Sequence, residues 1–322
     1  MPSTVSRLGQ INAAGAVDAL FLKKFAGEVL TTFETENVFK PLHLIRTIEN
    51  GKSAQFPVAG VASAKYHGVG DNMLTDAGYI SQIKHAERVI TIDNLLTSST
   101  LVSRIDEAMN HYDVRSIYTT ELGRALAKKF DKTVSQVITL AARGSSLIGG
   151  KNGQNVVTGA NPTGAKLAES IFEAAQKLDE NDIPSEERYA VLSPANYYKL
   201  VQELAKVTNA NAVGSYVDGS VVKVANVTIV KSNNLNFGTN QSAAGFDADY
   251  SGVNAANSYR GDFTNTVGIV FHKNAAGTVK LLDLAVESEY KIELQGTFMV
   301  AKYAMGHGIL RPECAVEIKT TA

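Results

Sequence analysis

One glycine-rich segment contains some of the residues that bind phosphate. It runs from Gly144 to Asn152 and includes Lys151. A phosphate-binding loop needs a strand, a glycine-rich turn and then Gly-Lys-Ser/Thr at the start of a helix, so that backbone N–H groups and the lysine converge on the phosphates. Here the glycine-to-lysine spacing is one residue too long, Asn152 replaces the hydroxyl residue, and a predicted helix precedes the segment. We therefore interpret it as the end of that helix.

The residues that usually bind metals or act as nucleophiles show no suitable pattern. The histidines have no His-Glu-x-x-His spacing, and a single cysteine, Cys314, cannot form a Cys-x-x-Cys pair with them. We expect packing or interface roles for the histidines, which are His43, His67, His85, His111, His272 and His307. Because nothing in the sequence indicates a base that would activate Cys314, we expect a small buried side chain there.

The candidates for acid–base catalysis are also weak. His111 and Asp113 could pair, but residues two apart on a helix point to different faces. Glu186 and Glu187 lie beside Pro184 in a predicted solvated turn, and the sequence has no Gly-x-Ser-x-Gly motif. The sequence therefore predicts no catalytic residue, no metal site and no cofactor site, although a triad assembled in space would leave no local motif.

The composition excludes several classes of protein. The chain has 322 residues, 31 basic and 32 acidic side chains, and a net charge of −1. A charge so close to zero excludes a strongly basic protein that binds by neutralising phosphates, so any contact with DNA should be loose. A lone cysteine cannot form an intrachain disulfide, which favours the cytosol. We find neither a secretory signal nor the ~18 apolar residues that a membrane span needs, and we expect a soluble globular protein.

A long β-hairpin is predicted from Lys52 to Asp93. It is the first of the elements that would have to position any site. Its first strand has an apolar period of two, with Ala54, Phe56 and Val58 on one face, and the β-branched run from Val89 to Ile92 predicts the returning strand. Little apolar material lies near the tip, and an isolated two-stranded ribbon is only marginally stable in water. Another part of the chain, or another copy of it, must therefore cover the hairpin.

Two four-residue periodicities predict helices. The shorter one follows a possible cap at Asp18 and consists of Phe21, Phe25, Val29 and Phe33. The longer one predicts a helix from Ser98 to Ala142, a span without proline. Its apolar stripe consists of Leu101, Ile105, Met109, Tyr112, Tyr118, Leu122, Leu126, Phe130, Val134, Ile138 and Ala141. Some ~40 residues of helix would extend about 60 Å, which implies an elongated molecule.

The second half of the sequence mixes helices and strands. Strand patterns cover Tyr189 to Leu192, Val221 to Val230, Thr266 to Phe271, Thr278 to Leu284 and Gln295 to Met305. Helices should begin after Thr163 and at Ser193-Pro194. The residues from Gly306 to Gly308 should interrupt the last strands, and the Asn-, Ala-, Gly- and Ser-rich run from Ser232 to Arg260 is predicted to be a surface loop. We therefore assign the chain to the α+β class.

Several blocks of the sequence resemble the major capsid proteins of short-tailed, podovirus-type bacteriophages of the T-odd group. The blocks are Leu20 to Phe33, Gly51 to Val58, Val89 to Asp93, Glu107 to Ser116, Gly277 to Leu284 and Ala301 to Gly308. The resemblance covers about Asp18 to Ser135 and Gly261 to Glu313, and blocks this long in the same order are highly specific. The middle, roughly Leu140 to Arg260, departs from the family in sequence.

This resemblance implies the α+β fold of tailed-phage major capsid proteins, the Hong Kong 97-type fold. It would divide the chain into an N-terminal arm (1–51), an extended-loop hairpin (52–93), a peripheral domain with a spine helix (94–150), an axial domain (151–265), and return strands that complete the axial and peripheral domains (266–322). The hairpin would lie on a neighbouring subunit, which answers the question of what covers it. We accordingly expect intersubunit contacts at Phe56, Val58, Lys65, Tyr66, Tyr79 and Lys84. Independently, we expect Gly306 and Gly308 to hold a positive φ or a close backbone approach.

The resemblance also implies a structural protein and not an enzyme. The chain would form pentamers and hexamers of an icosahedral shell around double-stranded DNA, with identical heterologous contacts between subunits. Its partners would be copies of itself, a scaffolding protein, a portal and loosely contacted DNA, with no membrane. Assembly in the cytoplasm of a bacterial host would place it in the virion capsid. Two alternatives stay open at this point: an encapsulin-like compartment of the same fold that holds a cargo protein, and a soluble oligomeric α+β enzyme.

Overall fold

The computed structural model describes residues 29, 32–33, 36–60, 62–74, 80, 83–105, 114–148, 151–207, 214–215, 220–221, 223–242, 257 and 259–321. They belong to two compact units. Unit 1 comprises Met1–Val38, Asn94–Asp131 and Leu282–Met305, and unit 2 comprises Phe39–Asp93, Lys132–Leu281 and Gly306–Ala322. Most of the predicted helix after Asp18, with Phe21 and Phe25, lies outside the described residues, as do His111, Asp113 and Tyr79.

The strands and longer helices of the described chain have the following bounds. The strands are β1 Leu44–Thr47, β2 Ser53–Ala59, β3 His85–Thr91, β4 Leu96–Ser103, β5 Gln154–Val157, β6 Arg188–Leu192, β7 Gly214–Ser215, β8 Ser220–Val221, β9 Lys223–Val224, β10 Val227–Lys231, β11 Thr266–His272, β12 Ala276–Lys291, β13 Gly296–Ile309 and β14 Ala315–Lys319. The helices are α1 Val114–Ala142, α2 Gly164–Glu180 and α3 Pro194–Val207.

Unit 2 is built around a six-stranded mixed sheet in the order β5-β14-β11-β6-β10-β9. Its apolar core also contains one face of α2 and one face of α3. The core side chains from α2 include Leu167, Ile171, Ala174 and Leu178, the four-residue stripe expected of a half-buried helix. As predicted, the side chain of Thr163 caps α2 by accepting a hydrogen bond from the N–H of Lys166, and α3 begins at Pro194.

Unit 1 contains an antiparallel strand pair and the first part of α1. Strand β4 pairs with β13, from Leu96 opposite Tyr303 to Ser103 opposite Gly296. Phe33 packs against Phe130 of α1 with ring centroids 6.1 Å apart. The four-stranded sheet β1-β12-β13-β4 and helix α1 supply residues to both units.

The predicted helix from Ser98 to Ala142 is wrong in its first part. Residues Leu96–Ser103 form strand β4, whereas Arg104 and Ile105 are helical. Residues 106–113 lie outside the described residues, and α1 has 29 residues from Val114 to Ala142. The strand carries β-branched and hydroxyl residues at four successive positions, which favour strands and compete with helical hydrogen bonds. The spacing of Leu101 and Ile105 matched a helix although Leu101 belongs to the strand. The later stripe is confirmed, since Leu122, Leu126, Phe130, Val134, Ile138 and Ala141 are all buried.

Three further predictions are corrected by the structure. Strand β13 continues through Gly306 and Gly308 to Ile309, so these glycines do not interrupt it. The segment Val221 to Val230 is broken by a turn at Ala225 and Asn226, both with positive φ, which lets β9 pair antiparallel with β10. The described part of the predicted surface loop contains buried side chains, namely Ser232, Asn236 and Tyr259.

Candidate assembly surface

The predicted hairpin is present. Strands β2 and β3 pair antiparallel from Ser53 opposite Thr91 to Ala59 opposite His85, and they form a two-stranded sheet of their own. The period of two is confirmed, because Ala54 and Val58 are buried while their neighbours Ser53, Gln55, Pro57 and Ala59 are exposed. The hairpin therefore has one face packed on its own subunit and one face in solvent.

The distal segment of the hairpin, residues 60–84, leaves apolar side chains in solvent. Every described side chain from residue 62 to 74, and those of residues 80, 83 and 84, is exposed. Tyr66 is 99% exposed, and its large apolar companions on this segment are Val69, Met73, Leu74, Ile80 and Ile83. Scattered apolar residues are normal on a surface, but six on one short segment indicate an interaction surface.

A tight turn organises part of the distal segment. The N–H of Gly68 donates a hydrogen bond to Oδ2 of Asp71 (3.0 Å), and the N–H of Asp71 donates to the carbonyl oxygen of Gly68 (3.2 Å). Gly70 lies between them with a φ of +96°, a conformation that side chains other than glycine rarely adopt. The segment thus presents Tyr66 and Val69 beside a defined turn.

The predicted contact residues fall into two groups. Lys65, Tyr66 and Lys84 are exposed on the distal segment. Phe56 is half-buried at the base, where the guanidinium of Arg46 lies 5.7 Å from its ring centroid. The side chain of Val58 is buried within its own subunit, where a neighbour has little access.

Gly306 and Gly308 of β13 are in close contact with the end of β3. A Cβ atom at Gly306 would collide with the carbonyl oxygen of Thr91, and a Cβ atom at Gly308 would lie 2.7 Å from Cγ1 of Ile90. The close neighbour at Gly306 is thus backbone and that at Gly308 is a side chain, and neither glycine is among the residues with a positive φ.

A buried chain of hydrogen bonds crosses this part of unit 2. Nδ1 of His43 lies 2.6 Å from the carbonyl oxygen of Phe39, which can only accept, so Nδ1 carries the proton. In a neutral ring Nε2 must then accept, from the hydroxyl of Thr278 at 2.7 Å. The Thr278 oxygen in turn accepts from Nδ1 of His307 at 2.8 Å. Burial lowers the pKa of His43 to about 4 and that of His307 to about 3, so both rings are neutral near pH 7.

A second polar cluster joins the hairpin base to a distant part of the sequence. The hydroxyl of Tyr259 accepts a hydrogen bond from the backbone N–H of His307 (2.9 Å) and donates one to Oδ2 of Asp93 (2.7 Å). Nδ2 of Asn257 donates to Oδ1 of Asp93 (2.7 Å) and to the carbonyl oxygen of Thr91 (2.8 Å). Burial and the neighbouring carboxylate of Asp93 raise the pKa of Tyr259, which stays protonated.

A buried ion pair follows the end of α1. The guanidinium of Arg143 donates to both carboxylate oxygens of Glu317, at 2.7 and 2.6 Å, and the Glu317 side chain is 0% exposed. The hydroxyl of Thr266 donates to the same carboxylate, and Nη1 of Arg143 donates to the carbonyl oxygen of Asp262. The hydrogen bonds that Arg143 donates to the carboxylate of Glu317 raise the pKa of Arg143. The sequence analysis missed both this pair and the two polar clusters, because their members are far apart in the chain.

The lone cysteine and the possible metal ligands of the described residues show no arrangement for nucleophilic attack or metal binding. Cys314 is buried, and burial raises the pKa of its thiol to about 12, which agrees with the expected inert side chain. Within the described part of the chain, no group of three or more His, Cys, Asp or Glu side chains could hold a metal ion. No described helix has the length and apolar character to cross a membrane. The exposed apolar side chains of the distal segment, in contrast, form a candidate interaction surface.

Comparison with known proteins gives this surface its context. The model of the Gp10A-like major capsid protein family matches residues 55–319. The major capsid protein of Escherichia phage T7 is 37% identical over 323 residues, which cover 94% of this chain and 92% of that protein. The major capsid protein of Enterobacteria phage T3 is 36% identical over 316 residues, with 92% and 90% covered.

Solved structures agree with the sequence comparison. The capsid structure of the cyanophage P-SCSP1u matches with a TM-score of 0.75 and 44% identity, covering 98% of each chain. A virus-like particle from Pyrococcus furiosus matches with a TM-score of 0.57 at 13% identity, which shows a shared fold alone. The α+β fold is thus that of tailed-phage major capsid proteins, as the sequence predicts. The chain belongs to the Gp10A-like family of major capsid proteins.

Proposed function

We propose that the chain is the repeating subunit of an icosahedral shell, made of pentamers and hexamers, that encloses double-stranded DNA. The observation that carries the proposal is the distal segment of the hairpin, whose exposed apolar side chains are left uncovered by the described residues of the same chain. A neighbouring copy that covered them would remove this apolar surface from water, which is favourable. The hairpin would then be completed by assembly.

A single kind of contact can build such a shell. When one subunit's hairpin lies on the next subunit, the two partners use different surfaces, and heterologous contacts of this type close into rings if the rotation permits. Each contact can be weak, since many contacts act together in a closed shell. We place Phe56, Lys65, Tyr66, Tyr79 and Lys84 at this contact. Gly306 and Gly308 would act indirectly, by allowing β13 to pack closely against the end of β3.

The proposed domains follow the capsid fold. We assign residues 1–51 to the N-terminal arm, 52–93 to the extended-loop hairpin, 94–150 to the peripheral domain, 151–265 to the axial domain, and 266–322 to the return strands. The participation of β12 and β13 in both units supports the last assignment. We place the finished protein in the virion capsid, and we infer that assembly takes place in the cytoplasm of a bacterial host.

The further partners are a scaffolding protein, a portal and packaged DNA. The net charge of −1 agrees with a loose contact with DNA, because a protein that neutralises many phosphates is usually strongly basic. Because the chain belongs to a family of structural proteins, we set the enzyme hypothesis aside. The compartment hypothesis becomes an outcome of the following test.

Electron microscopy of the purified protein, combined with absorbance at 260 and 280 nm, tests the proposal. We expect closed icosahedral particles, and particles isolated from infected cells should contain nucleic acid. Particles filled with protein and free of nucleic acid would favour the compartment. A small discrete oligomer without closed particles would contradict a shell subunit altogether.

A further inference from the structure

The direction of the hairpin depends on the contacts at its base. Among the described residues, β2 and β3 pair with each other and with no third strand. No larger sheet of the described residues therefore fixes the orientation of this ribbon. A two-stranded ribbon also has little stability of its own. The last backbone contact of the ribbon is the hydrogen bond from the N–H of Ile92 to the carbonyl oxygen of Lys52 (2.9 Å). The packed face of the ribbon and two arginine contacts, from Arg46 to the carbonyl oxygen of Gln55 and from Arg88 to that of Ser145, also hold it. The contacts at residues 91–93 add to these at the point where the ribbon joins the rest of the chain.

Both the nitrogen and the oxygen of the Asn257 side-chain amide form hydrogen bonds with residues at the end of β3. Nδ2 donates hydrogen bonds to the carbonyl oxygen of Thr91 and to Oδ1 of Asp93, and Oδ1 accepts one from the Thr91 hydroxyl at 2.9 Å. An amide bonded to three atoms of two nearby residues fixes their orientation as well as their position, because hydrogen bonds are directional. The side-chain amide of asparagine supplies both the donor and the acceptor that this arrangement uses.

Tyr259 connects the same residues to β13. Its ring is 3% exposed, and its hydroxyl bridges Oδ2 of Asp93 and the backbone N–H of His307. His307 lies between Gly306 and Gly308, the two residues that allow β13 to pass closely beneath β3. Hydrogen bonds to a carboxylate are stronger than those between neutral groups. The phenol therefore ties Asp93 to the strand on which the end of β3 lies.

We propose that Asn257, Tyr259 and Asp93 form a base clamp that fixes the direction of the hairpin and so positions its distal segment for contact with a neighbouring subunit. The clamp rests on the proposed function, since its purpose is to orient an assembly contact. Its members are positioning residues, and none of them lies on the exposed distal segment. Loosening the clamp should thus change the geometry of assembly while the subunit stays folded.

The first test measures the hairpin in unassembled subunits by hydrogen–deuterium exchange. Tyr259→Phe removes the bridging hydroxyl and keeps the ring, and Tyr198→Phe is the matched control, because it removes a hydroxyl from a half-exposed position on α3. We expect the amides of His85–Thr91 and Ile92 to exchange roughly tenfold faster in Tyr259→Phe than in the control. Equal exchange in the two variants would overturn the clamp, whatever the assembly behaviour.

The second test examines the particles formed by the same variants. We expect Tyr198→Phe to give uniform closed shells, like the unaltered protein, and Tyr259→Phe to give open or irregular particles at several-fold lower yield of closed shells. Normal shells from Tyr259→Phe, despite faster exchange, would overturn the positioning role. Absence of shells from the unaltered protein would overturn the proposed function, while the exchange experiment would still decide on the clamp.

A milder variant covers the case in which Tyr259→Phe does not fold. Thr91→Val removes the hydroxyl that donates to Oδ1 of Asn257 and keeps the β-branched shape of the side chain. We expect the same faster exchange, to a smaller extent of about threefold, and an intermediate yield of closed shells. Exchange identical to that of the unaltered subunit would count against the clamp.

Discussion

The carbonyl oxygen of Thr91 occupies the space that a Cβ atom would need at Gly306. This relationship lets β13 pass beneath the end of β3 at a distance that only a residue without a side chain permits. The contact at Gly308 is different, because there the nearest atoms belong to the side chain of Ile90. The hairpin base and the end of β13 are therefore fitted to each other at two neighbouring points.

Alanine substitutions at Gly306 and Gly308 should lower the free energy of unfolding by different amounts. Gly306→Ala would force the backbone of Thr91 to move, and we expect it to lower the free energy of unfolding by more than about 3 kcal/mol. Gly308→Ala should lower it by about 1 to 3 kcal/mol, because the side chain of Ile90 can repack. Valine at either position should also reduce particle yield. Urea unfolding of unassembled subunits measures the difference, and an unchanged midpoint and particle yield for the two variants would show that the close approach is unimportant.

The elements with a strong periodicity were predictable from the sequence. The alternation at Ala54 and Val58 and the four-residue stripe from Leu122 to Ala141 both correspond to buried faces. Strand β4 was not predictable in this way, because Leu101 fits a helical spacing as well as a strand. Periodicity describes which face is buried and does not decide between elements when a short apolar run fits both.

The polar contacts at the hairpin base could not be predicted, for a different reason. Asn257 and Thr91 are 166 residues apart, and Tyr259 and His307 are 48 apart. A hydrogen bond between such distant residues has no period and no motif. The sequence composition even predicted a surface loop for the region of Asn257 and Tyr259, because polar residues are common both in solvent and in buried hydrogen-bonded clusters.

The buried ion pair predicts a large and specific loss of stability. Arg143→Met would leave the carboxylate of Glu317 buried without its guanidinium partner, and we expect the free energy of unfolding to fall by about 3 to 5 kcal/mol. Glu121→Gln is the control, because it breaks a solvent-exposed pair with Arg124 and should change stability by less than about 1 kcal/mol. Chemical denaturation of both variants gives the comparison. If both variants lost similarly little free energy of unfolding, the pair of Arg143 and Glu317 would contribute little to stability.

The buried histidines predict that acid weakens the subunit. The pKa of His43 is about 4 and that of His307 about 3 in the folded chain, below the usual value of 6.5. Between pH 6.5 and about 3 the unfolded chain binds more protons at these rings, so the free energy of unfolding falls as the pH falls through that range. At pH 4 the loss should be about 3 kcal/mol for each histidine.

Variants at single histidines check this pH dependence. His307→Gln should reduce the slope of stability against pH between 4.5 and 6.5, whatever its effect at neutral pH. His85→Gln is the control for the replacement of a histidine by glutamine, because His85 is exposed. Equal slopes for His307→Gln and the unaltered protein would contradict neutral buried rings.

Removal of the distal segment should separate folding from assembly. When Val61 to Gln82 are replaced by a short turn, the described side chains that are lost are exposed ones, so the subunit should remain folded and soluble. It should no longer close shells, because the intersubunit contact is gone. Circular dichroism and electron microscopy of the same preparation measure both properties. Normal particles from the shortened chain would exclude the hairpin as an intersubunit element.

The most direct measurement of the central claim is the accessibility of residue 66 before and after assembly. Tyr66→Cys places a thiol on the distal segment, and the single native cysteine, Cys314, is buried and serves as an unreactive background. We predict that a maleimide labels the new thiol rapidly in dilute subunits and at least tenfold more slowly in closed shells. Equal labelling rates in subunits and shells would contradict the account, because the hairpin would then be as uncovered in the particle as in the free chain.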